Sequence, residues 1–384
     1  MRKVKARVKS RVPFNIPFQT GSEIQTIKRV LALNHLSGDG FFTSRCSSFL
    51  EKFLDVPRVL LTPSCTQALE MSFILLNVQP GDEIIVPSFT FPSTVNAFVL
   101  RGGHPRFVDI RPDTLNLDES KIDEAIGKNT KVIVPVHYAG VPCEMDSIIQ
   151  TARRHGVAIV EDAAQALGAE YRGKKCGTFG ILNAFSFHET KNITCGEGGA
   201  LSIVGKRYAR RAEIIRQKGT DRAKFYRGEV RKYSWMDIGS SYVPSELQMA
   251  FLLSQLEKIN GIQARRRALH DGYMAGLDEL KQRGNLQLPY VPSHVKSSHH
   301  LFYVIFSSEK WRTRTMERLK NKGINTVFHY FPLHLSKMGK AFGYRQGALP
   351  VTEKLAGRIL RLPMFNSMTE RDQNAVIKAL FKVL

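Results

Sequence analysis

The chain has 384 residues, of which 43% are hydrophobic and 23% are charged. This length predicts two domains, at roughly 100 to 200 residues each, and the ordinary composition excludes intrinsic disorder, collagen and a long coiled coil. Lysine and arginine number 56 against 34 aspartate and glutamate residues, and the resulting net charge of +22 favours phosphate-bearing partners.

The first twelve residues form a basic segment. MRKVKARVKSRV contains six lysine or arginine residues and no acid, and we expect a solvated extension instead of a transit peptide because it is not Ser-rich. No apolar run in the chain approaches the roughly 18 residues of a membrane-spanning helix, so we expect a soluble protein. The five cysteines are scattered and form no CxxC pair, which favours free thiols in the cytoplasm.

Seven short apolar runs occur between residues 59 and 204. They are VLLTPS (59–64), EIIVPS (83–88), PRFVDI (105–110), KVIVPVHY (131–138), VAIVEDA (157–163), NAFSFHE (183–189) and GALSIV (199–204). Several are apolar without alternation, which is typical of strands buried on both faces of a mostly parallel sheet. Helical stretches such as TQALEMSFILLNV separate the runs, with Leu69, Phe73 and Leu76 on one face. This alternation predicts an α/β domain with a seven-stranded, mostly parallel sheet.

The chain becomes helical and basic after the seventh run. Beyond residue 284, LFYVIF, NTVFHYF and the closing DQNAVIKALFKVL predict a small α+β domain. We therefore predict a basic tail (1–12), a large α/β domain (13–262) and a small C-terminal α+β domain (263–384).

Reactive side chains follow four of the predicted strands. Ligands bind at the carboxyl ends of strands in an open α/β sheet, and the residues found there include Thr66, Phe91, Asp162 and Lys191. Each alone has a structural explanation, as a helix cap, a core aromatic, a helix-start acid or a solvated lysine. Together they supply the Schiff-base amine, the pyridine-nitrogen partner, the aromatic face and the phosphate-binding helix start that pyridoxal 5′-phosphate (PLP) requires.

The motifs around these residues resemble one family. TPSCTQALE, GDEIIVPSFTFPSTVNA, VEDAAQALGA and FSFHETKNITCGEGGA are similar to segments of the sugar aminotransferases called the DegT/DnrJ/EryC1/StrS group. The resemblance extends from about residue 12 to the C-terminus. It implies the aspartate-aminotransferase fold (type I) and PLP as cofactor, with pyridoxamine 5′-phosphate as its aminated form.

The resemblance also implies roles for residues at the matching positions. Lys191 would form the Schiff base with PLP and carry protons, and Asp162 would bind the pyridine nitrogen. Gln165 would contact the hydroxyl side of the ring, and Phe91 would stack on it. The phosphate ligands would be Cys65, Thr66 and Ser186.

Finer motifs resemble the dTDP-4-amino-4,6-dideoxygalactose transaminases within this family. They are VPFNIPFQTG, LSGDGFFTSRC, KYSWMDIGSSYVPSELQMA, VFHYFPLH and LRLPMFN. The resemblance implies transfer of the amino group of L-glutamate to the C4 ketone of dTDP-4-dehydro-6-deoxy-D-glucose. The products would be 2-oxoglutarate and dTDP-4-amino-4,6-dideoxy-D-galactose, a precursor of cell-surface polysaccharide such as lipopolysaccharide or common antigen.

A homodimer is also implied, because many family members reach the neighbouring subunit's cofactor phosphate with an asparagine. In this chain the matching stretch is GSSY, which places Ser241 at that position.

Basic and aromatic residues between positions 205 and 233 predict a nucleotide site. Eleven lysines and arginines stand there against three acids. A solvated face is favoured for the helical part, whereas in the loop 220–233 we expect Arg222 and Arg227 to bind the diphosphate or to lie at a subunit interface. In the small domain, the candidates for a sugar contact are His329, Tyr330 and His334.

Several alternatives remain open. The family also includes dehydratases, but the resemblance implies that these lack the Schiff-base lysine, so Lys191 argues against that function. The substrate could instead be a GDP- or UDP-linked sugar or a C3 ketone. From another class, a PLP-binding regulator or a nucleic-acid binder would account for the charge, although no nucleic-acid-binding motif is present. No residues stand at metal-ligand spacing, so we expect no metal. Because no nucleic-acid-binding motif is present, we also expect no nucleic-acid partner.

Overall fold

The structure is a computed structural model that describes residues 11–384. Most of the predicted basic tail, residues 1–12, lies outside the described residues. Its last residue, Val12, is fully buried and pairs with Ile324 in the C-terminal part of the chain. No helix within residues 11–384 combines the length and the apolarity that crossing a membrane requires.

The described residues form thirteen strands, seven of which make the central sheet. The strands are β1 (Arg58–Thr62), β2 (Glu83–Pro87), β3 (His104–Val108), β4 (Thr130–Ile133), β5 (Ala158–Asp162), β6 (Glu170–Tyr171), β7 (Lys174–Lys175), β8 (Leu182–Ser186), β9 (Gly199–Ile203), β10 (Leu286–Gln287), β11 (Val295–Lys296), β12 (Phe302–Phe306) and β13 (Ile359–Leu362). The order in the central sheet is β1-β9-β8-β5-β4-β2-β3. Neighbours are parallel except at β9, which is antiparallel to β1 and β8. The predicted seven-stranded, mostly parallel sheet is confirmed.

Fourteen α-helices of the described residues surround the sheets. They are α1 (Glu23–Ala32), α2 (Phe41–Leu54), α3 (Cys65–Leu75), α4 (Pro92–Val99), α5 (Ile122–Ala125), α6 (Met145–His155), α7 (Ala209–Arg216), α8 (Arg222–Tyr226), α9 (Glu246–Leu256), α10 (Ile259–Gln282), α11 (Glu309–Asn321), α12 (Lys337–Ala341), α13 (Pro350–Ala356) and α14 (Glu370–Val383).

The apolar runs form strands here because helices cover both faces of the central sheet. Leu60 of β1 packs in one core with Leu69 and Phe73 of α3. Its neighbours Val59 and Leu61 pack in a second core with residues of α2 and α9. Successive strand residues point to opposite faces, so a strand between two cores has no polar face. Each fully buried leucine or phenylalanine contributes about 1.5 to 3 kcal/mol.

The carboxyl ends of β1, β2, β5 and β8 meet at one edge of this sheet. Gly199, the first residue of antiparallel β9, pairs there with Thr62 and Ser186. A Cβ atom on Gly199 would lie 2.4 Å from the backbone nitrogen of Cys65. The absence of a side chain therefore allows α3 to begin directly against the sheet edge.

The C-terminal domain is built on the three-stranded antiparallel sheet β10-β12-β13, with α10, α11 and α14 packed in its core. Helix α10 is a continuous helix of 24 residues. Ile262 in this helix packs in a core of the large domain, and Leu269 packs in the core of the small domain. The domain boundary predicted after residue 262 falls within α10 and stays a prediction.

Candidate active site

A cavity of about 550 Å³ opens at the carboxyl edge of the central sheet. Residues from strand ends, from the start of α3 and from the C-terminal domain line it. The lining includes these predicted site residues: Cys65, Thr66, Phe91, Asp162, Gln165, Ser186, Lys191, His329 and Tyr330. The fold thus brings together most of the residues selected from the sequence.

The start of α3 provides an anion-binding surface in this cavity. Ser64 caps the helix by accepting a hydrogen bond from the N–H of Gln67 at 3.3 Å. Within residues 11–384 the backbone N–H groups of Cys65 and Thr66 have no acceptor. The Thr66 hydroxyl donates to Ser93 Oγ at 2.8 Å. Free N–H groups at a helix N-terminus carry partial positive charge and bind phosphate well.

The Cys65 side chain is a neutral thiol at this surface. Burial, followed by the negative charge of Asp162, raises the pKa of the thiol well above its usual value. It can therefore contribute a weak S–H donor to an anion without adding a negative charge beside it.

Asp162, at the end of β5, is held by two hydrogen bonds. Its Oδ2 accepts from the Thr94 hydroxyl at 2.7 Å, and its Oδ1 accepts from the N–H of Ala164 at 3.1 Å. Thr94 is itself bonded to the hydroxyl of Thr90 at 2.9 Å. These contacts fix the orientation of a carboxylate that is only 6% exposed, which suits a partner for a protonated ring nitrogen.

Lys191 lies in the loop between β8 and β9 and reaches the same cavity. Burial lowers its pKa, and the charge of Arg361 lowers it further, whereas Cys65 and Asp162 oppose the shift. A lysine with a lowered pKa is more often unprotonated, so its amine is available as a nucleophile and a base.

Gln165 and Tyr330 form one wall of the cavity. Gln165 Oε1 accepts from the N–H of Ala139 at 2.8 Å, and its Nε2 donates to Tyr330 Oη at 3.1 Å. The amide is therefore oriented by both of its ends. Within the described residues the Tyr330 hydroxyl hydrogen has no acceptor, so it can donate to a ligand.

His329 is a neutral imidazole whose two nitrogens are both bonded. Burial lowers its pKa, with smaller contributions from the charges of Arg361 and Lys191. Arg361 Nη1 lies 3.2 Å from Nε2, and an arginine can only donate. Nδ1 must then carry the hydrogen and donate to Tyr138 Oη at 3.1 Å. His329 lines the cavity with both nitrogens engaged, whereas the Tyr330 hydroxyl can still donate to a ligand.

Phe91 is the aromatic side chain at the mouth of the cavity. It precedes α4, is 58% exposed and lies 6.4 Å from the ring of Tyr330. An exposed ring at a cavity mouth is available for stacking on a planar ligand.

The structure does not place His334 in the cavity. The ring is fully buried, with Nδ1 at 2.7 Å from Ser88 Oγ and Nε2 at 3.1 Å from Glu353 Oε1. A substrate cannot reach a ring that is buried and bonded at both nitrogens. The sequence-based prediction of a sugar contact for His334 therefore does not hold, and this histidine has a structural role.

Arg222, Arg227 and Ser241 line a second cavity, of about 850 Å³, which shares no lining residue with the first. Arg222 donates to Tyr226 Oη at 2.8 Å, and Arg227 is paired with Glu213 and Glu229. Within one chain these three residues therefore do not meet the residues around Lys191.

Two residues of the first cavity were not selected from the sequence. Thr94, which orients Asp162, lies in the first turn of α4, and its hydroxyl within the FTFPST segment is the feature that could have indicated it. Arg361 lies in β13 within the LRLPMFN motif, and only the folded C-terminal domain brings it to the cavity.

One further polar cluster is fully buried. Ligand atoms of His137, Glu161 and Cys176 lie within 4.8 Å of one another. Glu161 accepts hydrogen bonds from His137 and from three backbone N–H groups. Burial raises the pKa of the Cys176 thiol well above its usual value, whereas metals bind the thiolate. This donor set fits a structural hydrogen-bond network better than a metal site.

Comparison with known proteins places the chain in a family. Residues 18–381 match the sequence profile of the DegT/DnrJ/EryC1/StrS aminotransferase family. The chain belongs to this family. The spore coat polysaccharide biosynthesis protein SpsC of Bacillus subtilis is 30% identical over 376 residues, which are 96% of each chain.

Solved structures of aminotransferases have the same fold. DesV of S. venezuelae, solved in complex with a ketimine intermediate, is 31% identical over 97% of this chain and 98% of its own, with a TM-score of 0.89. Spr1654 of Streptococcus pneumoniae, solved in its PMP form, is 26% identical over 97% of both chains, with a TM-score of 0.90. The expected PLP-aminotransferase fold is confirmed.

The cofactor of the DegT/DnrJ/EryC1/StrS aminotransferases is PLP, and the first cavity suits it. The free N–H groups of Cys65 and Thr66 give the start of α3 a partial positive charge that suits a phosphate. Gly199 has no Cβ atom that would crowd this helix start. The oriented carboxylate of Asp162 and the amine of Lys191 supply the two other groups that PLP needs. The protein is thus a PLP-dependent sugar aminotransferase.

Proposed function

We propose that the protein transfers the amino group of L-glutamate to the C4 ketone of dTDP-4-dehydro-6-deoxy-D-glucose. The products are 2-oxoglutarate and dTDP-4-amino-4,6-dideoxy-D-galactose. The observation that carries the aminotransferase chemistry is the convergence of Lys191, Asp162 and the free start of α3 on one cavity. The choice of nucleotide sugar rests on the motifs shared with the dTDP-sugar branch, among them LSGDGFFTSRC and LRLPMFN.

In this proposal each residue has a defined task. When bound, PLP supplies a carbonyl for a Schiff base and an electron sink. Lys191 would hold the cofactor through its amine and, once the amino group of glutamate has taken its place, would carry the proton to and from the amino-acid carbon. Asp162, held by Thr94, would keep the ring nitrogen protonated. Gln165 would contact the hydroxyl side of the ring, and Phe91 would stack on it.

The phosphate of the cofactor would bind at the start of α3. Its ligands would be the N–H groups of Cys65 and Thr66 and the hydroxyl of Ser186, from residues that all line the cavity. The hydroxyl of Tyr330 is free to contact the sugar.

We further propose a homodimer in which the second cavity of one subunit faces the first cavity of its partner. Arg222 and Arg227 would then bind the diphosphate of the sugar nucleotide, and Ser241 would reach the cofactor phosphate. Large exposed apolar side chains near this surface, Trp235 at 80% and Met236 at 55% exposure, support burial against a second copy. The five unpaired cysteines fit a cytoplasmic enzyme.

The half-reaction with glutamate is tested by absorbance. Wild-type protein with PLP should show a long-wavelength band that L-glutamate bleaches, and Lys191→Ala should show neither the band nor the bleaching. Lys191→Arg is the matched control, because it keeps the charge and lacks the nucleophile. A band that glutamate leaves unchanged would refute the aminotransferase reaction.

The sugar is tested by product analysis. With [15N]glutamate and the dTDP-linked 4-ketone, mass spectrometry should detect a labelled amino sugar, and NMR should assign the galacto configuration at C4. Turnover of only GDP- or UDP-linked ketones would replace the proposed substrate by one of these. Conversion of the sugar to a product that carries no amino group would indicate a dehydratase.

The shared site is tested by mixing inactive variants. Lys191→Ala and the double variant Arg222→Ala/Arg227→Ala should each be impaired alone. If the loop serves the neighbouring subunit, each mixed dimer has one intact site, and random exchange should restore about a quarter of wild-type activity. No gain on mixing, with exchange verified by native mass spectrometry, would place the loop in its own subunit's site or outside the site.

A further inference from the structure

The helices α11 and α14 form part of the outer face of the small domain. Val304 of β12 packs in one core with Leu319 of α11 and Leu380 of α14. Its neighbour Tyr303 packs in a different core with Phe89 of the large domain. Successive strand residues point to opposite faces of a sheet, so the two helices lie on the side of the sheet that faces away from the large domain.

Each of the two helices carries a row of cations. Positions 310, 314 and 318 are one turn apart in α11, and positions 371, 378 and 382 follow one side of α14. The six residues, all exposed except the half-buried Arg318, are Lys310, Arg314, Arg318, Arg371, Lys378 and Lys382.

The acids of these helices leave most of this charge in place. In the described part of the chain α11 makes one ion pair, between Glu309 and Arg312 at 3.0 Å, and α14 makes none. Three of the four acids lie in a first helical turn, where they offset the helix dipole. Glu317 is the exception. The two rows therefore form a surface of positive charge.

The two rows are close to each other, and an aromatic ring lies beside them. Arg318 Nη1 donates to the carbonyl oxygen of Val383 at 2.6 Å, so the last turns of both helices are close together. Trp311 is 43% exposed, and the guanidinium of Arg314 lies 5.6 Å from the centre of its ring. This pair combines an apolar surface with a group that binds phosphate.

The basic N-terminal segment starts from the same edge of the domain. The N–H of Val12 donates to the carbonyl oxygen of Gly323 at 3.0 Å, and Val12 pairs with Ile324, just after the end of α11. Residues 1–10 contain five lysines or arginines and no acid. Their charge adds to that of Lys320 and Lys322, which are exposed at the end of this helix.

We propose that the outer face of α11 and α14, together with the N-terminal segment, binds a bilayer of negatively charged lipids. Each lysine or arginine near such a surface strengthens binding about fivefold. Trp311 favours lipid over other polyanions, because tryptophan rings settle at the level of the lipid headgroups. This contact is peripheral and needs no membrane-spanning helix. No residue of α11 or α14 lines either of the two large cavities, so the surface is separate from the proposed active site.

Sedimentation of the holoenzyme with lipid vesicles measures this binding. At about 0.1 M salt, the wild type should bind vesicles of about three parts phosphatidylcholine and one part phosphatidylglycerol, but not vesicles of phosphatidylcholine alone. Salt at about 0.5 M should release the protein, because it screens the charges.

Substitutions test whether the two rows make the contact. Arg314→Gln/Lys378→Gln should bind the anionic vesicles about 25-fold more weakly, at about fivefold for each cation. Deletion of residues 2–10, which removes five cations, should weaken binding further. Lys128→Gln/Arg153→Gln is the matched control, because it removes two exposed cations of the large domain, and its affinity should change less than about threefold.

Tryptophan fluorescence locates the surface that binds. The chain has two tryptophans, so Trp235→Phe leaves Trp311 as the single reporter, and Trp311→Phe leaves Trp235. On binding to the anionic vesicles, the emission of Trp311 should shift to shorter wavelength and be quenched by brominated lipid, since the ring leaves water for the headgroup region. The emission of Trp235 should stay unchanged. Cofactor absorbance and thermal unfolding verify that each variant is folded.

Three results would overturn the proposal. The first is an absence of binding to the anionic vesicles at low salt. The second is binding that leaves the emission of Trp311 unchanged, or that the control substitutions weaken as much as Arg314→Gln/Lys378→Gln does, because the contact would then lie elsewhere. The third is tighter binding to a DNA duplex than to the vesicles at the same salt concentration, which would assign the surface to nucleic acid. None of these results depends on which sugar the enzyme aminates.

Discussion

Replacing Glu161 by glutamine should remove a large share of the stability of the central sheet. Glu161, the penultimate residue of β5, is fully buried. One oxygen accepts from His137 Nε2 and from the N–H of Gly177, each at 2.8 Å. The other accepts from the N–H groups of Phe179 at 2.6 Å and Gly180 at 2.9 Å. Four donors thus converge on one buried carboxylate.

The magnitude follows from the number of donors. Glutamine keeps the shape but has one oxygen, so its NH2 group must face two of the four donors. Two hydrogen bonds to a charged group, at about 1.5 to 3 kcal/mol each, are lost, and the others weaken. Breaking a buried charged pair costs about 3 to 5 kcal/mol in other proteins. We expect the free energy of unfolding to fall by about 3 to 5 kcal/mol.

Urea unfolding of the cofactor-free protein at pH 7, followed by circular dichroism, measures this loss. Asp123→Asn is the control, because Asp123 pairs with Arg154 and His155 at the surface, and it should have no measurable effect. A loss below about 1 kcal/mol in Glu161→Gln would refute the reasoning, since the four donors would then not depend on the charge.

The same carboxylate predicts a pH dependence. Burial acts to raise the pKa of Glu161, but the hydrogen bonds from His137 and from the backbone outweigh burial and lower the pKa below its ordinary value of 4.5. A pKa that is lowered on folding stabilises the protein above the unfolded-state value, and the contribution is lost as the pH falls through the folded-state value. The difference between wild type and Glu161→Gln should therefore shrink below pH 4.5. A difference that stays constant into acid would contradict this account.

Three further predictions concern the cavity, the core and the thiols. Gly199→Ala should weaken PLP binding at least about tenfold in a fluorescence titration, because its Cβ would collide with the start of α3 at Cys65; unchanged affinity would show that α3 can move. His334→Ala should lower the free energy of unfolding by about 1 to 3 kcal/mol, because Ser88 and Glu353 lose a buried partner. A change confined to the KM of the sugar nucleotide would instead indicate that His334 contacts the substrate. The four buried thiols, Cys46, Cys143, Cys176 and Cys195, should react slowly with Ellman's reagent at pH 8 and fully after unfolding, because burial raises the pKa of each one. Cys65 lines the open cavity, so rapid labelling of more than one thiol per native chain would contradict the burial.

The local patterns of the chain were sufficient to predict the large domain. Apolar runs without alternation predicted strands covered on both faces, and the structure has a strand at each of the seven positions. Gly156 ends α6 with a φ of 66°, a left-handed conformation that glycine adopts at low cost. The residues at strand ends were also predictable, because parallel strands place their carboxyl ends at one edge. Asp162 and Lys191 therefore share a cavity, as their positions after β5 and β8 indicated.

Tertiary structure decided the parts of the site that depend on distant segments. His329 and His334 are five residues apart in one motif, yet the first lines the cavity and the second is buried against Ser88. Local sequence cannot separate them, because their environments come from α13 and from the end of β2. Arg361 carries no local signal either: it lies in β13, and only the folded C-terminal domain brings it to the cavity. Sequence periodicity determines which face of an element is buried, whereas the partner of a buried charge is determined only when the chain has folded.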